Sequence, residues 1–139
     1  MFNIYVDGIY DLFHAGHVTT LKNIKNMKEN VYLIVGVVND KDATIYKREP
    51  VINEHNRYIM LESCKYVDKV ITDTPLIINQ DFIEKNNIDL VVHSFSNKND
   101  ENNQNDFFKI PIEMGKYETV EYSHIESTTS IINRIKDKY

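Results

Sequence analysis

Residues 2–21 read FNIYVDGIYDLFHAGHVTTL, and this stretch decides the fold. Its opening, with Phe2, Ile4 and Val6 apolar at alternate positions, reads as a first strand. Its close leads into Val18, Leu21, Ile24 and Met27, whose three-residue spacing marks one face of a helix. Between the two runs Asp7-Gly8-Ile9-Tyr10-Asp11-Leu12-Phe13-His14-Ala15-Gly16-His17, so a pair of histidines flanking a glycine stands where strand becomes helix. Such a turn offers unpaired backbone N–H groups and a positive dipole end, a seat for phosphate.

Three chemistries fit the histidines on spacing alone. Both rings can face an anion held on the amides and donate hydrogen bonds to charge developing on a phosphoryl oxygen. Equally, one ring can cap the helix and the other sit half-buried with no ligand. Zinc is the third, though the chain has no nearby cysteine to complete such a site and two ligands do not make one. Gly16 lets the backbone approach a ligand closely.

The remainder of the chain alternates strand and helix. The first helix is expected from about His17 to Lys28, and VYLIVGVV (31–38) is a continuous apolar run suited to a parallel strand buried on both faces. A polar loop to Asn53 follows, carrying Lys47, Arg48 and Pro50. Asn53 caps a helix containing Arg57 and Cys64, and residues 66–71 form a turn and third strand. A short helix (81–87), a fourth strand (89–93), an Asn-rich loop (94–106), a helix limited by Pro111 and a fifth strand (119–122) come next. Ser127-Thr128-Thr129-Ser130 then opens a capped amphipathic helix. The pattern predicts an α/β, Rossmann-like single domain over residues 1–139, with a mainly parallel five-stranded sheet flanked by helices. Ligands in such sheets bind beyond the carboxyl ends of the strands, where the His14/His17 turn, Asp40, His93 and the loop before Ser127 all fall.

Composition narrows the partners. The 139 residues carry 27% charged and 42% hydrophobic side chains, ordinary for a water-exposed globular domain. A net charge of -5 argues against general nucleic-acid binding, while a small anion needs only a local positive site. The single cysteine, Cys64, forms no internal disulfide and sits within a predicted helix as a core residue. With neither a leader sequence nor an apolar run of membrane-spanning length, the expectation is a cytoplasmic protein.

VDGIYDLFHAGHVTTL resembles the signature of the cytidylyltransferases, the branch of the His-x-Gly-His nucleotidyltransferase superfamily that includes the CTP:phosphocholine and CTP:phosphoethanolamine enzymes. The likeness continues in order through YLIVGVVND, Lys47, VINEHNRY, CKYVDKVI, IDLVVH and STTSIINRI. The resemblance implies transfer of CMP from CTP, with Mg²⁺, to a phosphorylated amino alcohol, giving a CDP-alcohol and pyrophosphate. Under it, His14 and His17 stabilise the transition state at the α-phosphate and Lys47 reaches the phosphates. Asp7, Gly8, Asp11, Gly16, Asn53 and Arg57 build the nucleotide site, and Ser127, Thr128 and Thr129 hold the triphosphate. Glycerol-3-phosphate or sugar-phosphate transfer, and nucleotide binding without turnover, are the alternatives. The family likeness also implies a homodimer with Tyr66, Val67 and Asp68 near its interface. No long membrane-sensing helix follows Ile135, so membrane regulation is not expected.

Two departures stand out. Tyr122 occupies the place of a family arginine that serves substrate phosphates, with Ile125 at a glycine position; a phenol cannot replace a bidentate guanidinium. Either activity is weak or the phosphate falls to another group such as Arg48. Second, His93 is followed by Ser94-Phe95-Ser96 where acidic residues are usual. Phe95, Phe107 and Phe108 are candidates for an aromatic cation face, with Asp100, Glu101 or Asp106 as the substitute acid.

Overall fold

The computed structural model describes residues 1–95 and 98–139. Alternating apolar positions place the strands side by side in one parallel sheet of order β3-β2-β1-β4-β5. These strands are β1 (Phe2–Gly8), β2 (Val31–Val37), β3 (Lys69–Ile71), β4 (Leu90–Ser94) and β5 (Tyr117–Val120). β1 lies at the centre, paired in register with β2 from Phe2↔Val31 to Gly8↔Val37 and with β4 from Ile4↔Leu90 to Val6↔Val92. The chain winds outward from β1 to β3, then returns to build β4 and β5 on the other side. The order therefore reverses between β1 and β4, and the crevice beyond Gly8 and Ser94 is the switch point.

The period of two divides the core cleanly. Ile4, Val6, Leu33, Val35, Val37, Leu90 and Val92 face one layer with Leu21, Ile24 and Leu61, while Tyr5, Ile34 and Val91 face the other with Ile78, Ile83, Ile88 and Phe108. Gly36 is obligatory in β2. The hydrogen bond between Tyr5 Oη and Thr74 Oγ1 (2.6 Å) passes over it, and a Cβ there would lie 2.2 Å from the phenol oxygen.

The helices are α1 (Ala15–Lys25), α2 (Asp40–Tyr46), α3 (Glu54–Glu62), α4 (Gln80–Lys85), α5 (Lys98–Asn102), α6 (Gln104–Phe107), α7 (Lys109–Glu113) and α8 (Thr128–Lys138). Two segments expected as loops are helical in part. Asn39 caps α2 by accepting from the Asp42 N–H at 2.7 Å, and Asp40 and Asp42 favour its N-terminal dipole end. The Asn-rich stretch holds α5 and α6, with Asp100 drawn inside. α1 starts earlier than its apolar spacing suggests because His14 caps it, and β5 begins at Tyr117, before the expected Thr119. Cys64 is half-buried against the core. Among the described residues, no helix is long and apolar enough to cross a membrane.

Candidate active site

A cavity of about 200 Å³ opens at the switch point, between the ends of β1 and β4 and the starts of α1 and α8. Its lining includes Asp7, Gly8, Asp11, His17, Lys47, Ser127, Thr128 and Thr129 from the sequence-based set. His14 and Gly16 are not in that lining, and His14 borders a separate apolar hollow.

The turn after β1 is bent by two non-glycine residues in left-handed conformation, Tyr10 (φ 58°) and Leu12 (φ 50°). Such positions carry strain and cluster at sites where geometry is over-determined. The bend sends the Asp11 carboxylate inward, where its two oxygens accept from the Val51 (2.8 Å) and Ile52 (2.9 Å) amides. Asp11 thus fixes the segment that bears Lys47.

The histidines close a reciprocal cap. His14 Nδ1 accepts from the Gly16 N–H (3.0 Å) and His17 Nδ1 from the His14 N–H (3.3 Å). With both Nδ1 atoms accepting, each neutral ring carries its proton on Nε2. His14 Nε2 accordingly donates to Thr128 Oγ1 (3.3 Å), whose own hydroxyl donates to the Asp11 carbonyl (3.0 Å). The His17 ring is stacked between His14 (3.8 Å) and Phe13 (5.6 Å). Burial, then the charges of His14 and Lys47, hold His17 down to about 3; burial also lowers His14, against Glu126. Both are neutral N–H donors at physiological pH.

The His14 and Gly16 amides of α1 point at imidazole nitrogens, whereas on α8 Ser127 caps only the Ser130 amide. The Thr128 and Thr129 amides have no acceptor among the described residues, and both residues line the cavity. The start of α8 thus turns N–H groups toward the cavity. Its approach is held by Ser123 N–H donating to Thr20 Oγ1 (3.1 Å). Gly16 is the contact point: a Cβ there would lie 2.5 Å from the Glu126 carbonyl oxygen.

The opposite end is acidic. His93, at the end of β4, is bonded through Nδ1 to Asp7 (2.9 Å) and through Nε2 to Asp100 (2.9 Å). Two carboxylates accepting from one ring require both nitrogens protonated. Burial opposes that charge, but the hydrogen bonds to Asp100 and Asp7 outweigh it and push His93 up to about 10. The trio is an imidazolium held between two carboxylates. Phe108 (4.7 Å) and Phe95 (5.3 Å) pack on the ring, while Phe107 turns to Tyr46 (5.7 Å). Of the candidate acids, Asp100 is the one bonded to His93; Ser96 lies outside the described residues. Tyr46, Thr20 and Tyr10 also line the cavity and were missed from sequence; only their adjacency to Lys47, the His17 face and Asp11 pointed to them.

The trio makes stability depend on pH. His93 is protonated more strongly folded than unfolded, so its contribution is complete below pH 6.5 and lost as pH rises toward 10. His17 is depressed, so the fold loses stability as pH falls from 6.5 toward 3. Urea midpoints are expected to peak near neutrality, and His93→Gln is expected to flatten the alkaline limb by roughly a few kcal/mol. An unchanged alkaline limb in that variant would remove the imidazolium assignment.

Two of the expected site residues do other work. The Arg57 guanidinium is 1% exposed and donates to the carbonyls of Ile9 (2.7 Å), Val38 (2.8 Å) and Ile52 (2.9 Å) and to Asp40 Oδ1 (2.7 Å). It braces the cavity from behind. Asn53 caps α3 through the Asn56 amide (3.0 Å) and borders a separate depression that also includes Asp40.

The cytidylyltransferase-like family model matches residues 5–134, nearly the whole chain. The chain belongs to the cytidylyltransferase-like family. It is 36% identical over 137 residues to choline-phosphate cytidylyltransferase 2 of Arabidopsis thaliana, covering 98% of this chain and 45% of that protein. To human choline-phosphate cytidylyltransferase A it is 36% identical over 139 residues (98% and 37% covered). To the ethanolamine-phosphate cytidylyltransferase of Arabidopsis thaliana it is 34% identical over 136 residues (95% and 32%). The chain thus spans less than half the length of these curated relatives. A lipopolysaccharide core biosynthesis protein from Thermoplasma volcanium shares the cytidylyltransferase-like chain's fold, with TM-score 0.69 at 24% identity over 91% of this chain and 99% of its own.

Proposed function

We propose that the chain transfers CMP from CTP to a phosphorylated amino alcohol, phosphocholine or phosphoethanolamine, releasing pyrophosphate. One observation carries this reading: a single cavity joins a phosphate end to an amine end. The phosphate end has the α8 amides, Lys47 and the neutral His17 donor. The amine end has the Asp7–His93–Asp100 trio in the same wall, whose carboxylates suit an ammonium. An acceptor phosphate oxygen attacks the α-phosphorus, the bond to the bridging oxygen of the β-phosphate breaks, and pyrophosphate leaves with those electrons. Nothing on the protein needs to become covalently attached; positioning and charge neutralisation suffice. His14, bonded to Thr128, ties the α1 and α8 starts together while His17 donates to the α-phosphoryl oxygens.

Among the described residues no group of three histidine, cysteine or acidic side chains is placed to hold a metal ion. Asp7 and Asp11 are engaged by protein donors. The side chains therefore do not form a cage for Mg²⁺, and in this reading the ion arrives on the triphosphate, adding charge neutralisation there. A cytoplasmic setting fits the free thiol of Cys64. A homodimer is supported by the apolar hollow of Leu12, Phe13 and Ile131 beside Ile59 (57% exposed) and Met60 (46% exposed). A monomer mass in sedimentation velocity would end that part.

The test is pyrophosphate release from CTP and Mg²⁺ with phosphocholine, phosphoethanolamine or glycerol 3-phosphate. Release with an amino alcohol is expected. Release with glycerol 3-phosphate alone would overturn the amine end, and release with none of the three would overturn the transfer.

A further inference from the structure

We propose that Arg48 is a phosphate-binding residue of the cavity, its guanidinium taking substrate phosphate oxygens beside Lys47. The inference rests on the transfer reading only for which substrate brings the phosphate. Both proposed substrates are phosphate esters, and the protein's net charge is -5, so the cavity itself must attract them. Its lining holds few cations. His17 is neutral, and the His93 charge is held between its two carboxylates. Lys47 and Arg48 remain, adjacent in sequence and both in the wall.

The three arginines are used very differently. Arg57 is bonded to backbone carbonyls and Asp40, and Arg134 forms a forked pair with Glu126 (2.7 and 3.3 Å). The half-buried Arg48 side chain has no hydrogen bond or ion pair among the described residues. Its position is nonetheless fixed. The Lys47 and Arg48 amides both donate to the Ala43 carbonyl (2.9 and 3.0 Å), and the Asp11 carboxylate pins Val51 and Ile52 beyond it. A fork of five N–H donors held on such a strap, beside another cation, matches two phosphate oxygens at once. Desolvation and then the charge of Arg48 pull Lys47 down, against Asp100 and Asp11, so the two cations feel each other across the cavity wall. An arriving phosphate relieves that repulsion. The Tyr122 phenol, also in the lining, offers no positive charge of its own.

The experiment compares wild type, Arg48→Gln and Arg48→Lys by calorimetric titration with CTP and with inorganic pyrophosphate, and by KM for CTP and for the phospho-alcohol. Thermal melts should coincide, since the guanidinium holds no partner among the described residues. Arg48→Gln is expected to weaken phosphate binding about 10- to 100-fold, with Arg48→Lys intermediate and the salt dependence shallower in the glutamine variant. Weakening of CTP and pyrophosphate assigns Arg48 to the triphosphate; a rise confined to the acceptor's KM assigns it to the acceptor phosphate. Constants unchanged within about twofold for all three ligands would overturn the proposal. Wild type that binds CTP and pyrophosphate without turning over any acceptor would defeat the transfer reading while the titrations still decide Arg48. Wild type that binds neither defeats both.

Discussion

Replacing His17 by alanine is expected to lower CMP transfer by about 10²–10³-fold, the effect of removing one well-placed donor from developing phosphoryl charge. The reason lies in the ring's proton. Its Nδ1 is occupied by the His14 amide, which leaves Nε2–H as the only donor of a side chain that lines the cavity. Because burial holds the ring neutral down to about 3, its donor form is constant across ordinary assay conditions. The pH–rate profile should therefore show no inflection near 6.5 that disappears in the variant. Alanine also leaves a gap between Phe13 and His14, so a melt must accompany the kinetics. Turnover within a few-fold of wild type, in a protein that melts normally, would take His17 out of the chemistry.

The second large effect is on stability. Arg57→Met is expected to destabilise the fold by about 3–5 kcal/mol, because methionine leaves three backbone carbonyls and a carboxylate without their donors. Against a total of about 5–15 kcal/mol for a domain, that is enough to leave the variant partly unfolded at body temperature. The carbonyls of Ile9 and Val38 follow β1 and β2, and that of Ile52 follows the Lys47 strap, so one side chain joins three edges of the cavity. Arg57→Lys is not expected to rescue, since a point donor cannot span them. Urea titration reads the result. A variant with wild-type midpoint and impaired activity would make Arg57 a ligand residue after all.

Much of the fold was legible because its signals are local. Alternation in Ile4–Val6, Leu33–Val37 and Leu90–Val92 marks the central strands, and Ser127 and Asn53 mark helix starts by their own hydrogen bonds. α2 was hidden because it is short and buries only Ala43, leaving no face to read. α5 was hidden because its inward residue is an aspartate, stabilised by His93 and Tyr46 rather than by apolar contact. The family resemblance placed Asp11 and Arg57 at the nucleotide site without saying which way they turn. Both bond to main-chain groups, and main-chain groups leave no trace in a sequence.

Gly16 carries one more consequence. It lies within α1, and a side chain there is excluded from two directions, by the His14 ring of its own turn (2.9 Å) and more closely by the Glu126 carbonyl arriving from the far end of the chain (2.5 Å). Drift at position 16 and drift in the segment before α8 are therefore bound to one another. An alanine becomes acceptable only if that segment retreats, and its retreat draws Thr128 away from His14. The motif's smallest residue thus records a distant neighbour as well as the histidine beside it.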